Sequence, residues 1–209
     1  MKPKTSQPYS FLRIFHATPS SISLDIYLDE QLYTKDLLYE DFTVYKPLIS
    51  GEHVISLCLH KETEPILTRS LWISPEKIYT LVITYAPHSE TLQSYLLNDP
   101  LKKIPEDQLL LRIGNFSQID APLKFHLVDT KPIFKKIPSH QCTPYLSFNP
   151  ATYTAELVHA ESQEVLLSKT DCVLKISRCY TLYIIGGTEK FPTQAVLTIN
   201  GNSFLHFHS

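Results

Sequence analysis

The chain has 209 residues, 43% of them hydrophobic and 19% charged, with a formal net charge of -2. That balance is globular and excludes a chain too polar to build a core, and the charge excludes a basic footprint for nucleic acid or anionic lipid. No apolar run approaches the roughly 20 residues that a membrane-spanning helix needs, so no transmembrane segment is expected.

Residues 1–9 read as a polar N-terminal arm; they lead into a strand pattern rather than an apolar leader, which predicts a cytoplasmic chain. From residue 10 the pattern alternates with period two: Leu12 and Ile14 face one way and Arg13 the other, and Leu24, Ile26 and Leu28 alternate with Asp25 and Tyr27. Further strands are predicted over 54–59, 66–73, 79–85 and 92–97. Residues 99–107 are charged and carry two prolines, as a linker should.

The pattern then starts again. Leu111-Arg112-Ile113 answers Leu12-Arg13-Ile14, and Leu123, Phe125 and Leu127 answer Leu24, Ile26 and Leu28. Thr143 and Tyr145 answer Thr43 and Tyr45, and Tyr180-Thr181-Leu182 answers Tyr79-Thr80-Leu81, a repeat with a period of roughly 100 residues. Strands are predicted over 153–159, 164–174, 179–185 and 195–199. The Asn200-Gly201 step between apolar runs predicts a hairpin and an extra C-terminal strand. The expected organisation is an arm (1–9), a first repeat (10–98), a linker (99–107) and a second repeat with its extra strand (108–209).

No segment keeps a helical apolar stripe, so the fold is predicted to be all-β. Seven or eight short strands per copy fit two tandem immunoglobulin- or fibronectin-like antiparallel β-sandwiches, with a closed barrel as the alternative. The spacing in Ile73-Ser74-Pro75-Glu76-Lys77-Ile78-Tyr79 is that of a tyrosine corner. It predicts a structural lock at Tyr79, and at Tyr180 in the second copy, each ring buried and each hydroxyl bonded to a carbonyl of the preceding turn.

The run Phe11-Leu12-Arg13-Ile14-Phe15-His16-Ala17-Thr18-Pro19, followed by Leu24-Asp25-Ile26-Tyr27-Leu28, resembles the opening of the bacterial domain of unknown function catalogued as 4397. The likeness extends through Asp41-Phe42-Thr43, Tyr45, Pro47-Leu48 and Gly51 to Ile78-Tyr79-Thr80-Leu81. The resemblance implies tandem sandwich domains, often on cell surfaces, with no established activity and no catalytic residues. The second copy departs from it, with Asn115-Phe116-Ser117 in place of His16-Ala17-Thr18.

His16, with Ser20 and Ser21, marks a candidate loop or ligand site, although an imidazole there also serves to tie down a loop, the preferred reading. Cys58, Cys142, Cys172 and Cys179 lack metal-binding spacing and read as buried thiols of a reducing compartment. His206 and His208 share a strand face but are two ligands, not a site. Neither a Gly-x-Ser-x-Gly elbow nor a His-Glu-x-x-His helix occurs, nor does a phosphate-cradling glycine loop. The expectation is therefore no catalytic residue, no metal, no cofactor and no enzyme activity.

The sequence predicts a structural or protein-interaction protein of a bacterial cell or spore surface layer, assembled from the cytoplasmic side. It would act on a protein partner or on copies of itself, using its 12 tyrosines and 10 phenylalanines as interface aromatics. The alternative is a small-ligand or glycan module that uses the end loops around His16, Ser20 and Ser21.

Overall fold

A computed structural model describes residues 8–128 and 134–207. Among the described residues all regular structure is β-strand apart from one 3-10 turn, and the residues divide into two compact units. The first comprises 8–84, 92–101 and 206–207, and the second 85–91, 102–128 and 134–205.

The first unit is built from β1 (Tyr9–His16), β2 (Leu24–Leu28), β3 (Gln31–Leu37), β4 (Lys46–Ile49), β5 (Gly51–Leu59), β6 (Pro65–Ile73), β7 (Ile78–Tyr85) and β8 (Leu92–Asn98). They form two four-stranded sheets, ordered β4-β1-β7-β8 and β3-β2-β5-β6. The inward residues of both sheets meet in one core: Leu12, Ile14, Leu81 and Ile83 from the first, Leu24, Ile26, Ile55, Leu57 and Ile73 from the second. Burying each such side chain contributes about 1.5–3 kcal/mol, which is the term that holds the two sheets face to face.

The second unit repeats this plan with β9 (Leu109–Asn115), β10 (Leu123–Leu127), β11 (Phe134–Ile137), β12 (Gln141–Cys142), β13 (Leu146–Phe148), β14 (Ala151–His159), β15 (Val165–Leu174), β16 (Cys179–Ile185) and β17 (Gln194–Ile199). Its sheets run β12-β9-β16-β17, with β13 also on β9, and β11-β10-β14-β15. Leu111, Ile113, Phe125, Leu157 and Leu182 sit in its core.

The structure corrects several expectations. One sheet of each unit is mixed rather than antiparallel, because β1 pairs parallel with β7 and β9 parallel with β16, while the other sheet is antiparallel as expected. A parallel pair needs a long crossover, and in each unit the strands of the other sheet supply it. The polar arm is shorter than 1–9, since Tyr9 already opens β1, and residues 1–7 lie outside the described residues. The linker starts later than 99, since Asp99 is fully buried within the first unit. The extra C-terminal strand does not form. An Asn-Gly hairpin turn needs positive φ at both residues, but Asn200 is extended at φ -86 and the chain enters the 3-10 turn Gly201–Ser203. Phe207 instead packs its ring on Tyr9 and Phe11, at centroid distances of 5.7 and 5.4 Å.

Candidate functional site

Period-two alternation gives each sheet an outward face, and the outward face of the β1 sheet is covered. Arg13, which points away from the core, is only 4% exposed. Its guanidinium lies between the rings of Phe42 and Tyr45, 4.7 Å from each centroid, and Phe42 stacks on Phe15 at 4.0 Å. Arg13 Nε donates to Thr80 Oγ1 at 3.0 Å, Thr80 Oγ1 donates to Asp99 Oδ2 at 2.9 Å, and Tyr45 OH donates to the same oxygen at 3.1 Å. The second unit carries the counterpart: Arg112 Nε donates to Thr181 Oγ1 at 2.9 Å and lies 4.8 Å from the Tyr145 ring, with Asn200 in the place of Asp99. Because the network is in both copies and buried, it belongs to the fold.

Tyr79 and Tyr180 are buried, and their hydroxyls accept hydrogen bonds from the backbone N–H of Ser74 (3.3 Å) and Lys175 (3.0 Å). The partner is thus an amide of the preceding turn, not a carbonyl. His16 is 1% exposed, with Nδ1 3.1 Å from Leu37 O. Burial lowers its pKa to about 4, against the raising effect of the Leu37 and Leu38 carbonyls and of Asp41, so the ring is neutral at pH 7. Ser20 is half-buried and Ser21 exposed. The structure therefore does not bring His16 to an open loop surface with them, because the ring is spent on tying the 37–38 backbone. All four cysteines are free thiols, with Cys142 half-buried rather than buried. His206 is exposed and His208 lies outside the described residues. Among the described residues, no group of three or more His, Cys, Asp or Glu is placed to hold a metal ion, and no helix is long and apolar enough to cross a membrane.

The aromatic residues are not the exposed surface that composition suggested. Among the described residues no tyrosine is exposed, and Trp72 and Phe204 are the exposed aromatics. Trp72, at 68% exposure, stands on the outward face of β6. Register places Trp72 opposite Glu52, Val54 opposite Ser70, and Tyr27 between Ser56 and Leu32. Trp72, Val54, Tyr27 and Leu32 thus step diagonally across four strands, each within side-chain reach of the next. Trp72, Val54 and Leu32 are exposed and Tyr27 is half-buried. Hydroxyls of Ser56, Thr68 and Ser70 and the Glu52 carboxyl flank the stripe.

The second unit carries Val173 opposite Thr152, Thr154 where the first has Val54, and His126 opposite Glu156, paired at 3.0 Å. At these positions the same sheet therefore folds with a smaller apolar residue and two polar ones, and the Trp72, Val54 and Tyr27 side chains of the first unit are not a requirement of the fold. Sequence reading missed this stripe, although the departure of Trp72 from Val173 between otherwise matching copies was its signal.

Two histidine–carboxylate clusters border the same sheet. His60 Nδ1 lies 2.9 Å from Asp25 Oδ1 and its Nε2 3.8 Å from Asp36 Oδ1, while Ser23 Oγ donates to Asp36 Oδ1 at 2.5 Å. Burial raises the Asp25 pKa, but hydrogen bonds from Asp36 N–H, His60 and Lys61 N–H outweigh it and hold the carboxyl below its ordinary value. At the other end His53 Nδ1 lies 2.5 Å from Asp29 Oδ2, and its Nε2 2.7 Å from Ile49 O.

Residues 10–126 match the model of the family described as Domain of unknown function (DUF4397). No curated protein matches the chain. Among solved structures it is similar to the Bacillus anthracis TIE protein, at 12% identity and a TM-score of 0.25 over 86% of this chain; it spans 33% of that protein. It is also similar to CBMbc (family CBM26) from Eubacterium rectale Amy13K, solved in complex with maltoheptaose, at 8% identity and a TM-score of 0.29, covering 93% of this chain and 99% of that one. A streptococcal virulence factor described by its alpha-glucan binding is similar at 10% identity and a TM-score of 0.26, covering 95% and 100%.

Proposed function

The chain belongs to the DUF4397 family, and from that premise we propose that it is a non-enzymatic structural or protein-interaction protein of a bacterial cell or spore surface layer, built from two tandem immunoglobulin- or fibronectin-like sandwiches. Its binding surface is the outer face of β5 and β6 around Trp72. The observation that carries this reading is the difference between the repeats: one sheet, built twice, bears Trp72, Val54 and Tyr27 on its outer face in one copy and Val173, Thr154 and His126 in the other. An exposed apolar stripe rimmed by hydroxyls has the make-up of an interface core with its polar rim. Tryptophan is among the residue types that most often dominate binding once a partner covers them.

The test is sedimentation of the intact chain over a concentration series, beside Trp72→Ala. Association that weakens at least tenfold in Trp72→Ala supports a self-assembling layer protein. Unchanged association in the variant removes the face from the interface, and a monomer at every concentration directs the reading to a different protein as partner.

A second reading, a glycan-binding module, is favoured by one feature of the same face. The indole of Trp72 lies open with Glu52 opposite it and Ser70 two residues away on the same face, a flat apolar ring with hydrogen-bonding groups near it. Trp72 is the chain's only tryptophan, so its fluorescence reports that site alone. A saturable change on titration with soluble oligosaccharides supports this reading, and an unchanged spectrum opposes it.

A further inference from the structure

His53 sits on β5 with 11% of its side chain exposed, and both of its ring nitrogens face acceptors. Nδ1 meets the Asp29 carboxylate, which also takes the Val54 N–H at 2.8 Å, and Nε2 meets the Ile49 carbonyl at the end of β4. A neutral imidazole carries one N–H and satisfies one of these; only the imidazolium donates to both. When the ring has a single proton, the carboxylate is the stronger acceptor and keeps it. The bare Nε2 lone pair is then left against the Ile49 oxygen.

The second unit supplies the comparison. Tyr153 stands where the first unit has His53, and its hydroxyl donates to Asn149 O at 2.8 Å, the carbonyl matching Ile49. Val128 stands where the first unit has Asp29: each donates its backbone N–H across to β5 or β14, Asp29 to Val54 O and Val128 to Thr154 O, both at matched positions. The same corner is thus tied in both units, by a hydroxyl with its one proton in one and by an imidazole facing two acceptors in the other. We propose that His53 is a proton-operated latch on the β4–β5 corner of the first unit: doubly protonated it holds the Ile49 carbonyl, and singly protonated it stays with Asp29 and releases the corner.

The groups around the ring leave Asp29 as its charged neighbour. From β4 it meets a carbonyl, and Lys46 on that strand is turned to the Tyr33 ring, with its ammonium 4.4 Å from the ring centroid. From β6 its register partner is Leu71, and Glu30, next to Asp29 in the turn, makes no ion pair with it among the described residues. The corner matters to the sheet edge. Ile49 pairs with Tyr9 on β1, and Ser50 N–H donates to Pro8 O at 3.0 Å, so release of the corner loosens the β4 cover over the start of β1.

The test follows the His53 ring, the Ile49 carbonyl carbon and the Ser50 amide of the intact chain by NMR from about pH 5 to 8, the range in which histidines ordinarily titrate. Exchange protection of Ser50 is measured against intrinsic exchange at each pH. The expected result is one shared midpoint for the three signals and protection that falls about tenfold on the basic side, the effect of losing one hydrogen bond. His53→Tyr, which copies the second unit, should abolish the pH dependence and keep the corner protected throughout. Asp29→Asn should do the same by freeing the neutral ring to donate to Ile49. A His53 titration that leaves Ile49 and Ser50 unmoved overturns the latch, and so does a pH dependence that survives in both variants.

Discussion

Asp99 and Asn200 hold the same place in the two repeats. Each donates its backbone N–H to the carbonyl of the first residue of the neighbouring strand, Ile78 O and Cys179 O, at 2.8 Å, and each side chain meets the matching threonine hydroxyl, at 2.9 and 2.7 Å. The direction of the bond is reversed: Thr80 donates to the Asp99 carboxylate, whereas Thr181 accepts from the Asn200 amide. Since the fold has already accepted both versions, Asp99→Asn should cost no more than about 1–2 kcal/mol in chemical denaturation. Asp99→Leu, which removes a buried carboxylate from the neighbourhood of the buried Arg13, should cost about 3–5 kcal/mol.

Tyr79→Phe and Tyr180→Phe keep the buried rings and delete only the hydroxyls that accept from Ser74 and Lys175 N–H. Each variant should lose about 1 kcal/mol of unfolding free energy, the usual worth of one such bond. A loss near zero in both would mean that water replaces the hydroxyl and that neither tyrosine locks its turn.

The buried His16 sets a pH dependence of definite sign. Its proton is held only below about 4 in the fold, because burial disfavours the imidazolium, against an ordinary value of 6.5. Between these values the unfolded chain binds the proton and the folded one does not. Stability contributed by the neutral ring is therefore present above 6.5 and lost as pH falls towards 4, by roughly 3 kcal/mol in all. Unfolding measured from pH 7 to 4 should show this slope in the native chain and a shallower one in His16→Gln. Equal slopes would show that the ring is not the group responsible.

Phe15 and Gly114 are matched positions on β1 and β9, and their register partners are Val82 and Tyr183. The aromatic bulk has changed strands between the copies, from β1 in the first unit to β16 in the second. A Cβ on Gly114 would come 2.9 Å from the Tyr183 ring and 3.0 Å from Cys142 Sγ. Gly114→Ala should therefore destabilise by about 1–3 kcal/mol through overpacking. Adding Tyr183→Val should recover most of that loss, and a purely additive double variant would refute the exchange.

The strands that carry the core were legible because inward residues recur every second position, and the period of roughly 100 residues, drifting by about two along the copy, made Thr43 and Thr143 visible as a pair. Both accept a bond from the facing strand, from Ile14 N–H at 2.9 Å and from Ile113 N–H at 3.0 Å. β3 was not legible because its turn is Asp29-Glu30, both at positive φ, a hairpin turn without the glycine or asparagine that usually announces one. Alternation shows which face Arg13 occupies but not that Phe42 and Tyr45 cover that face, since those contacts come from a loop. The Asp99-Pro100 step has the local chemistry of a linker, and its burial is decided by Tyr45 and Thr80, far away in the chain. The Trp72 diagonal depends on strand register, which period-two reading leaves open.

The ring of Phe207 against Tyr9 and Phe11 bears on how the molecule is made. Synthesis runs from N- to C-terminus, so β1 emerges before its parallel partner β7, which follows about 67 positions later, and before Phe207, which follows every strand of the second unit. Contacts so distant in sequence are slow to form, and unpaired strands are open to wrong pairing while they wait. The first unit is thus completed only after the strands of the second have been made: Phe207 must emerge before β1 acquires that neighbour.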